Sequence, residues 1–108
     1  MKINGRKLIH KISIEKLLEI KNEIGGSTTE WIEFAPAYAE VKPISGKEFL
    51  SAKAHQNSVT HRIIIRWVKG ISPSMRVKHK NRVFNIEAVR DYFEREIWIE
   101  MLVRSQYE

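Results

Sequence analysis

Apolar and polar residues alternate with a period of two along several short stretches of this chain. The clearest stretch is residues 59–68, and residues 8–14 and 97–103 show the same period. One face of the clearest stretch carries Val59, His61, Ile63, Ile65 and Trp67. Because successive side chains of a strand point to opposite faces, these stretches predict β-strands with one face in a core. We expect Trp67 to lie in that core.

Turn-forming residues bound a second strand. Gly25-Gly26 predicts a turn, because glycine adopts positive φ without steric cost. Residues 31–41 then look extended, and Pro36 marks an edge or a bulge that splits this strand. Residues 16–20 predict one helical turn before the glycines. Pro43 ends the extended segment.

A hairpin and a short helix complete the predicted elements. Lys80-Asn81 predicts a hairpin, with asparagine in the left-handed conformation and Phe84 in the core. Ser45-Gly46-Lys47-Glu48 fits a helix capping box and predicts a helix over residues 48–56, closed by Asn57-Ser58. About six strands with one short helix between the second and third predict a mainly β domain spanning residues 1–108. A small antiparallel β-barrel and a sandwich remain equally consistent with this pattern.

Charge is unevenly distributed along the chain. The net charge is +6, and residues 60–86 hold seven Lys and Arg with no acidic residue. A candidate contact surface is formed by Arg62, Arg66, Arg76, Lys78, Lys80 and Arg82. Such a run suits a nucleic-acid backbone, an acidic neighbouring subunit or a solvated face. The 108 residues contain no cysteine and no apolar run approaching the ~20 residues of a membrane span, so we expect no membrane contact.

Enzymatic signals are weak throughout the sequence. Asp91 is the only aspartate, whereas a two-metal nuclease assembles several carboxylates. The four histidines lack metal-ligand spacing, and His10 and His61 lie on apolar strand faces, where a core histidine is the ordinary explanation. We therefore expect no catalytic site, metal, cofactor or small-molecule substrate.

Two predicted strands are apolar on both faces. Trp98 and Leu102 lie opposite Ile97, Ile99, Met101 and Val103. A strand with one solvated face does not show this pattern, so either the same chain or another subunit covers it. The second strand raises the same question. The candidate subunit interface is Ile32, Phe34, Tyr38, Trp98 and Leu102.

Several motifs in one order resemble a known family. They are Tyr38–Glu48, Thr60–Arg66, Gly70–Val77 and Arg82–Ile86, preceded by Gly5–Ile14, Gly25-Gly26 and Trp31. This series resembles the head–tail joining proteins of tailed phages, also called head-closure or stopper proteins. The resemblance implies a similar barrel, assembled as a ring of identical subunits between the DNA-filled head and the tail. It also implies three partners beside the ring itself: a portal or adaptor protein, a tail-terminator or tail protein, and packaged double-stranded DNA that passes nonspecifically.

The resemblance also suggests where function resides. The connection between the second and third strands becomes a candidate lumen-facing or gating segment, comprising Ser45, Gly46, Lys47, Glu48, Lys53, Gln56 and Asn57. A channel that passes DNA cannot hold it tightly, so the basic run is expected to meet mainly acidic subunits. We expect a virion location, with the host cytoplasm during assembly. The alternative is a small basic barrel that binds nucleic acid; a small hydrolase or nuclease has almost no residue support.

Overall fold

Six antiparallel strands form a closed barrel. The computed structural model describes residues 8–44, 59–92 and 94–106. Its strands are β1 His10–Lys21, β2 Ser27–Pro43, β3 His61–Arg66, β4 Arg76–His79, β5 Arg82–Tyr92 and β6 Trp98–Ser105, in the order β1-β2-β3-β6-β5-β4. The mainly β prediction is confirmed, as a barrel and not a sandwich. The described residues include no helix, and so none that could cross a membrane; the predicted helix lies outside them.

The barrel interior is a single apolar core. Its inward side chains alternate along the regular parts of the strands, as the period of two predicts. The fully buried members are Ile14, Ile63, Ile65, Val77, Phe84, Ile99, Met101 and Val103. Phe84 is the largest of them, so its predicted core position is confirmed.

The predicted core position of Trp67 is wrong. β3 ends at Arg66, and Trp67 remains 36% exposed while its backbone N–H donates to the carbonyl of Ile97 at 2.9 Å. The alternation holds only while the chain is a regular strand. Beyond its end Val68, which the alternation would place on the face opposite Trp67, packs against the core instead.

The predicted helical turn at residues 16–20 is also wrong. β1 continues to Lys21 and pairs with β2 as far as Ser27. The predicted turn at Gly25-Gly26 is confirmed, with Gly25 at φ 84°. Good local helix formers here lose to the cross-strand hydrogen bonds that a long hairpin offers.

Pro36 does not divide β2, which is continuous through it. It lies where β2 pairs only with β1, since pairing with β3 begins at Ala39, so on the β3 side there is no ladder that the proline could interrupt. The irregularity in β2 falls two residues away from Pro36. Ile14 pairs with Ala35 but Glu15 pairs with Glu33, which makes Phe34 the extra residue of a β-bulge.

The bulge reverses which β2 residues face inward. One extra residue moves the following side chains to the other face of a strand. Phe34 consequently packs against the core, and its ring lies 3.1 Å from the position that a β-carbon would take on Gly70. Gly70 also has φ 97°, so both backbone conformation and space require glycine there.

The hairpin at Lys80-Asn81 is confirmed, with a difference in detail. The positive φ, 56°, belongs to Lys80, not to asparagine. This turn lies at one end of the barrel, which also holds the beginning of β1 and the ends of β2 and β6. We call this end of the barrel the terminus end. At the opposite end β1 and β2 run beyond the other strands, and we call this the arm end.

Candidate assembly surfaces

A two-stranded arm projects from the arm end. It consists of residues 17–31, paired from Leu17–Trp31 to Lys21–Ser27. β1 pairs with β4 only over residues 13–15, so within the described residues the arm has no third strand. The molecule measures 54 Å along its longest axis and 30 and 26 Å across. The sequence did not predict this arm, although two glycines between apolar stretches are a hairpin signal.

The tip of the arm is an ordered turn. The Asn22 side-chain oxygen accepts hydrogen bonds from the backbone N–H groups of Ile24, at 3.0 Å, and Gly26, at 2.8 Å. The Asn22 N–H donates to the Gly26 carbonyl at 2.9 Å. Asparagine thus closes the turn with its own side chain, which holds Ile24 outward.

Apolar side chains on the arm face solvent. Ile24 is 91% exposed, and Leu17, Leu18 and Ile20 are between 38% and 50% exposed. Leu17 lies on one face of the ribbon, while Leu18 and Ile20 lie on the other. Isolated two-stranded ribbons are marginally stable in water, so an apolar ribbon of this kind is typical of a segment that packs against a partner.

The basic run does not form one surface. Arg62 and Arg66 lie on β3, whereas Arg76 and Lys78 lie on β4. In a closed six-strand barrel with this order, β3 and β4 are three strands apart in either direction and therefore on opposite walls. Residues that are continuous in sequence are thus separated by the full width of the barrel.

Contacts within the chain engage much of the basic run. The Arg62 Nε lies 2.7 Å from the carboxylate of Glu100, and the Arg76 Nε lies 2.7 Å from that of Glu15. The guanidinium of Arg76 also lies 4.3 Å from the ring centre of Trp31, and those of Arg66 and Arg82 lie over Trp98 and Phe84. Lys78 and Lys80 are exposed. These two lysines are therefore better placed than the arginines to meet a partner.

The candidate interface residues occupy different environments. Tyr38 is 59% exposed on the outer wall, whereas Trp98 is 2% exposed within the single chain. Ile32, Phe34 and Leu102 are half-buried. Trp98 is covered by residues of its own chain. Tyr38 is therefore the candidate interface residue that is most available to another subunit.

A buried carboxylate lies on the outer wall beside Trp98. Glu100 is 4% exposed, and its two oxygens meet Arg62 at 2.7 Å and Arg90 at 2.5 Å. β6 lies between β3 and β5, so the two arginines approach from either side. This cluster was not predicted from the sequence, because there Glu100 looks like an ordinary solvent-facing residue of an alternating strand.

Histidines gather inside the terminus end. The rings of His10 and His79 meet edge to face at 5.0 Å, and the ring of His61 packs on Phe84 at 4.9 Å. His61 Nδ1 lies 2.8 Å from the Thr60 hydroxyl, in keeping with the expected core histidine. His79 is 5% exposed, and among the described residues neither of its ring nitrogens has a hydrogen-bond partner.

This environment disfavours protonation. Burial, then the positive charge of His10, Arg82 and Lys80, lowers the pKa of His79 below its ordinary 6.5. Burial and Arg82 also lower the pKa of His61. In the described part of the chain, no group of three or more His, Asp or Glu could hold a metal ion.

The lowered histidine pKa values predict a loss of stability in acid. The unfolded chain binds protons at these histidines near pH 6.5 while the folded chain resists them, so folding is weakened as pH falls below 6.5. We expect a lower melting temperature at about pH 5.5 than at about pH 7.5. The variant His79→Leu should show a smaller decrease in melting temperature. The decrease that remains in this variant comes from His61 and from carboxylates. The melting temperatures are measured by circular dichroism. Equal decreases in the wild type and in His79→Leu would contradict this explanation.

A small closed barrel with a projecting, exposed apolar arm is the architecture of a protein class that packs against partners. Comparison with known proteins agrees. The family model described as phage head completion protein matches residues 3–106. Head completion protein gp16 of Bacillus phage SPP1 is 29% identical over 72 residues, which cover 67% of this chain and 66% of gp16, just under two thirds of that protein.

Solved structures share the fold. A Shigella flexneri 2a protein, known from its solution structure, matches with a TM-score of 0.80 and 29% identity, covering 100% of this chain and 99% of that one. A chain from the virion of a native gene transfer agent particle matches with a TM-score of 0.60 and 18% identity, over 91% and 94% of the two chains.

The chain belongs to the phage head completion protein family. Its resemblance to head–tail joining proteins is therefore confirmed. Nothing in these comparisons favours the nucleic-acid-binding alternative.

Proposed function

We propose that this protein forms a ring of identical subunits that closes the DNA-filled head of a tailed phage or prophage and joins it to the tail. The observation that carries the proposal is the family match, which spans residues 3–106 of the 108. Because the match includes all six strands, it supports the entire barrel as the unit of the proposed ring.

The surfaces of the barrel support a role in assembly. The arm and the exposed Tyr38 present apolar area that a lone molecule leaves in water. The proposed neighbours are further copies of the chain, a portal or adaptor protein, and a tail-terminator or tail protein. The protein is proposed to reside in the virion, after assembly in the host cytoplasm, and to catalyse no reaction.

Packaged DNA is proposed to pass this ring without being gripped. The basic run is divided between opposite walls, and Arg62 and Arg76 are already paired with carboxylates. These residues therefore cannot all neutralise phosphates of one duplex, which weakens nonspecific binding. Acidic neighbours remain the better match for the exposed Lys78 and Lys80.

The proposed gating segment is the connection between β2 and β3. Its predicted residues, Ser45 to Asn57, lie outside the described residues. The backbone N–H of Ile44 donates to the carbonyl of Thr60 at 3.1 Å, so the segment leaves and rejoins the barrel at neighbouring points of the terminus end. An excursion from a single point can extend toward a ring axis, which supports its proposed place in the lumen.

Removal of the gene tests the proposal. In a producing phage or induced prophage, we expect its deletion to yield separate heads and tails in electron micrographs, with heads that have lost their DNA. The gene supplied in trans should restore joined particles, which controls for effects on neighbouring genes. Joined, DNA-filled particles in the deletion strain would refute the proposed function.

A further inference from the structure

Charge divides along the long axis of the molecule. The arm carries Glu19, Glu23 and Glu30 against one lysine, Lys21, for a net charge of −2 in a chain whose net charge is +6. All four of these side chains are exposed. The arm is therefore acidic as well as apolar, on a molecule that is otherwise basic.

The opposite end of the same wall carries lysines. Lys11 of β1 pairs with Tyr38 of β2, and Ser13 pairs with Lys78 of β4, so all four lie on the outer face. Lys80 follows in the β4–β5 turn. We call Lys11, Tyr38, Lys78 and Lys80 the lysine face. Each of its members is exposed.

Acidic side chains that border the lysine face are already engaged. Glu15 is paired with Arg76, and Glu33 accepts a hydrogen bond from the Ser13 hydroxyl at 2.8 Å. Glu40 also interacts within the chain. The Ser13 hydroxyl is neutral and leaves the charge of Glu33 in place, but the side chains of Lys11, Lys78 and Lys80 are all exposed, so a partner can reach their positive charge.

The arm of a molecule cannot reach its own lysine face. Lys11 and Ile20 belong to the same continuous strand, and nine residues of strand span about 30 Å. The arm therefore needs a second molecule if its charge and apolar side chains are to meet a complementary surface.

We propose that the arm of one copy of this chain packs on the lysine face of the next copy. Glu19, Glu23 and Glu30 would lie against Lys11, Lys78 and Lys80, with Ile24 and its apolar neighbours against Tyr38. The contact joins two different surfaces, so every copy both donates an arm and receives one. Contacts of this kind generate a ring when the rotation closes. The inference rests on the proposed function and identifies the contact that holds the ring together.

Charge reversal on each surface tests the contact. The arm variant Glu19→Lys/Glu23→Lys/Glu30→Lys and the face variant Lys11→Glu/Lys78→Glu/Lys80→Glu are each expected to reduce the number of joined particles about tenfold or more. A chain with all six substitutions restores the opposite-charge contact and should recover most particles. The control Lys69→Glu/Arg95→Glu alters exposed charges outside both surfaces and should leave the number unchanged.

A crosslink provides a readout that does not require the variants to assemble. The chain contains no cysteine, so Ile24→Cys can carry a single photo-crosslinker. In joined particles we expect a dimer of this chain, with the crosslink mapped to residues 8–14, 38 or 76–81. A crosslink to another virion protein would overturn the inference.

The outcomes separate the inference from the function on which it rests. Unaffected particle numbers in both triple variants, or no recovery with all six substitutions in a chain that melts like the wild type, would refute the contact between copies. The proposed function would survive either result, because it fails only when deletion of the gene leaves joined particles.

Discussion

Phe84→Ala is expected to destabilise the barrel by about 3–5 kcal/mol, measured by urea unfolding. Phe84 is fully buried, and its ring contacts His61 at 4.9 Å. Truncation removes the largest fully buried side chain among the described residues. It leaves a cavity that a closed barrel cannot easily collapse, because hydrogen-bonded neighbours hold β5 on both sides over residues 84 and 85. The loss is a large fraction of the 5–15 kcal/mol typical of a domain.

Trp67→Ala is the matched control. The sequence pattern placed Trp67 and Phe84 equally in the core, but Trp67 is 36% exposed beyond the end of its strand. We expect it to cost less than Phe84→Ala, about 1–2 kcal/mol, because the Trp67 side chain is only partly buried. Unfolding of both variants is followed by circular dichroism, because removing a tryptophan changes the fluorescence signal. Equal losses of stability in the two variants would show that the period-two pattern continues through Trp67 after all.

Arg62→Met should destabilise the protein by about 2 kcal/mol, because it removes one of the two arginines that meet the buried carboxylate of Glu100. Breaking a wholly buried pair costs more, but the Arg62 side chain is 33% exposed and Arg90 remains. The double variant Arg62→Met/Glu100→Leu replaces charge by apolar volume and should return to within about 1 kcal/mol of the wild type.

Arg104→Met makes the same chemical change in an exposed setting. Arg104 meets Glu87 at 3.1 Å, with side chains 44% and 31% exposed. Exposed pairs contribute about 0–1 kcal/mol, so this variant should be nearly neutral in chemical denaturation. If Arg104→Met proved as costly as Arg62→Met, or if the double variant were less stable than Arg62→Met alone, burial of Glu100 would not be the cause.

Part of the fold could be predicted from the sequence because its signals are local. The alternation in residues 59–65 and 99–103 and the turns at Gly25-Gly26 and Lys80-Asn81 depend on nearest neighbours along the chain. Predictions failed where a distant strand decided the outcome. Residues 16–20 have helix-forming composition, yet pairing with β2 makes them strand. The bulge at Phe34 exists only in the register between β1 and β2.

The contact surfaces were less predictable than the fold. Arg62 and Arg76 belong to one basic run in sequence but to opposite walls of the barrel, because strand order does not follow chain order. Tyr38 and Trp98 look alike as apolar residues on outer strand faces, yet one is 59% and the other 2% exposed.

The sequence by itself determined the family, the mainly β class and most of the strands, since short motifs and a period of two are properties of neighbouring residues. Only the tertiary structure decided that the barrel closes, that an arm projects from it, and which charges lie together. Those features depend on strand order and register. They are set by contacts between residues far apart in the chain, such as Ser13 with Lys78, which no local pattern specifies.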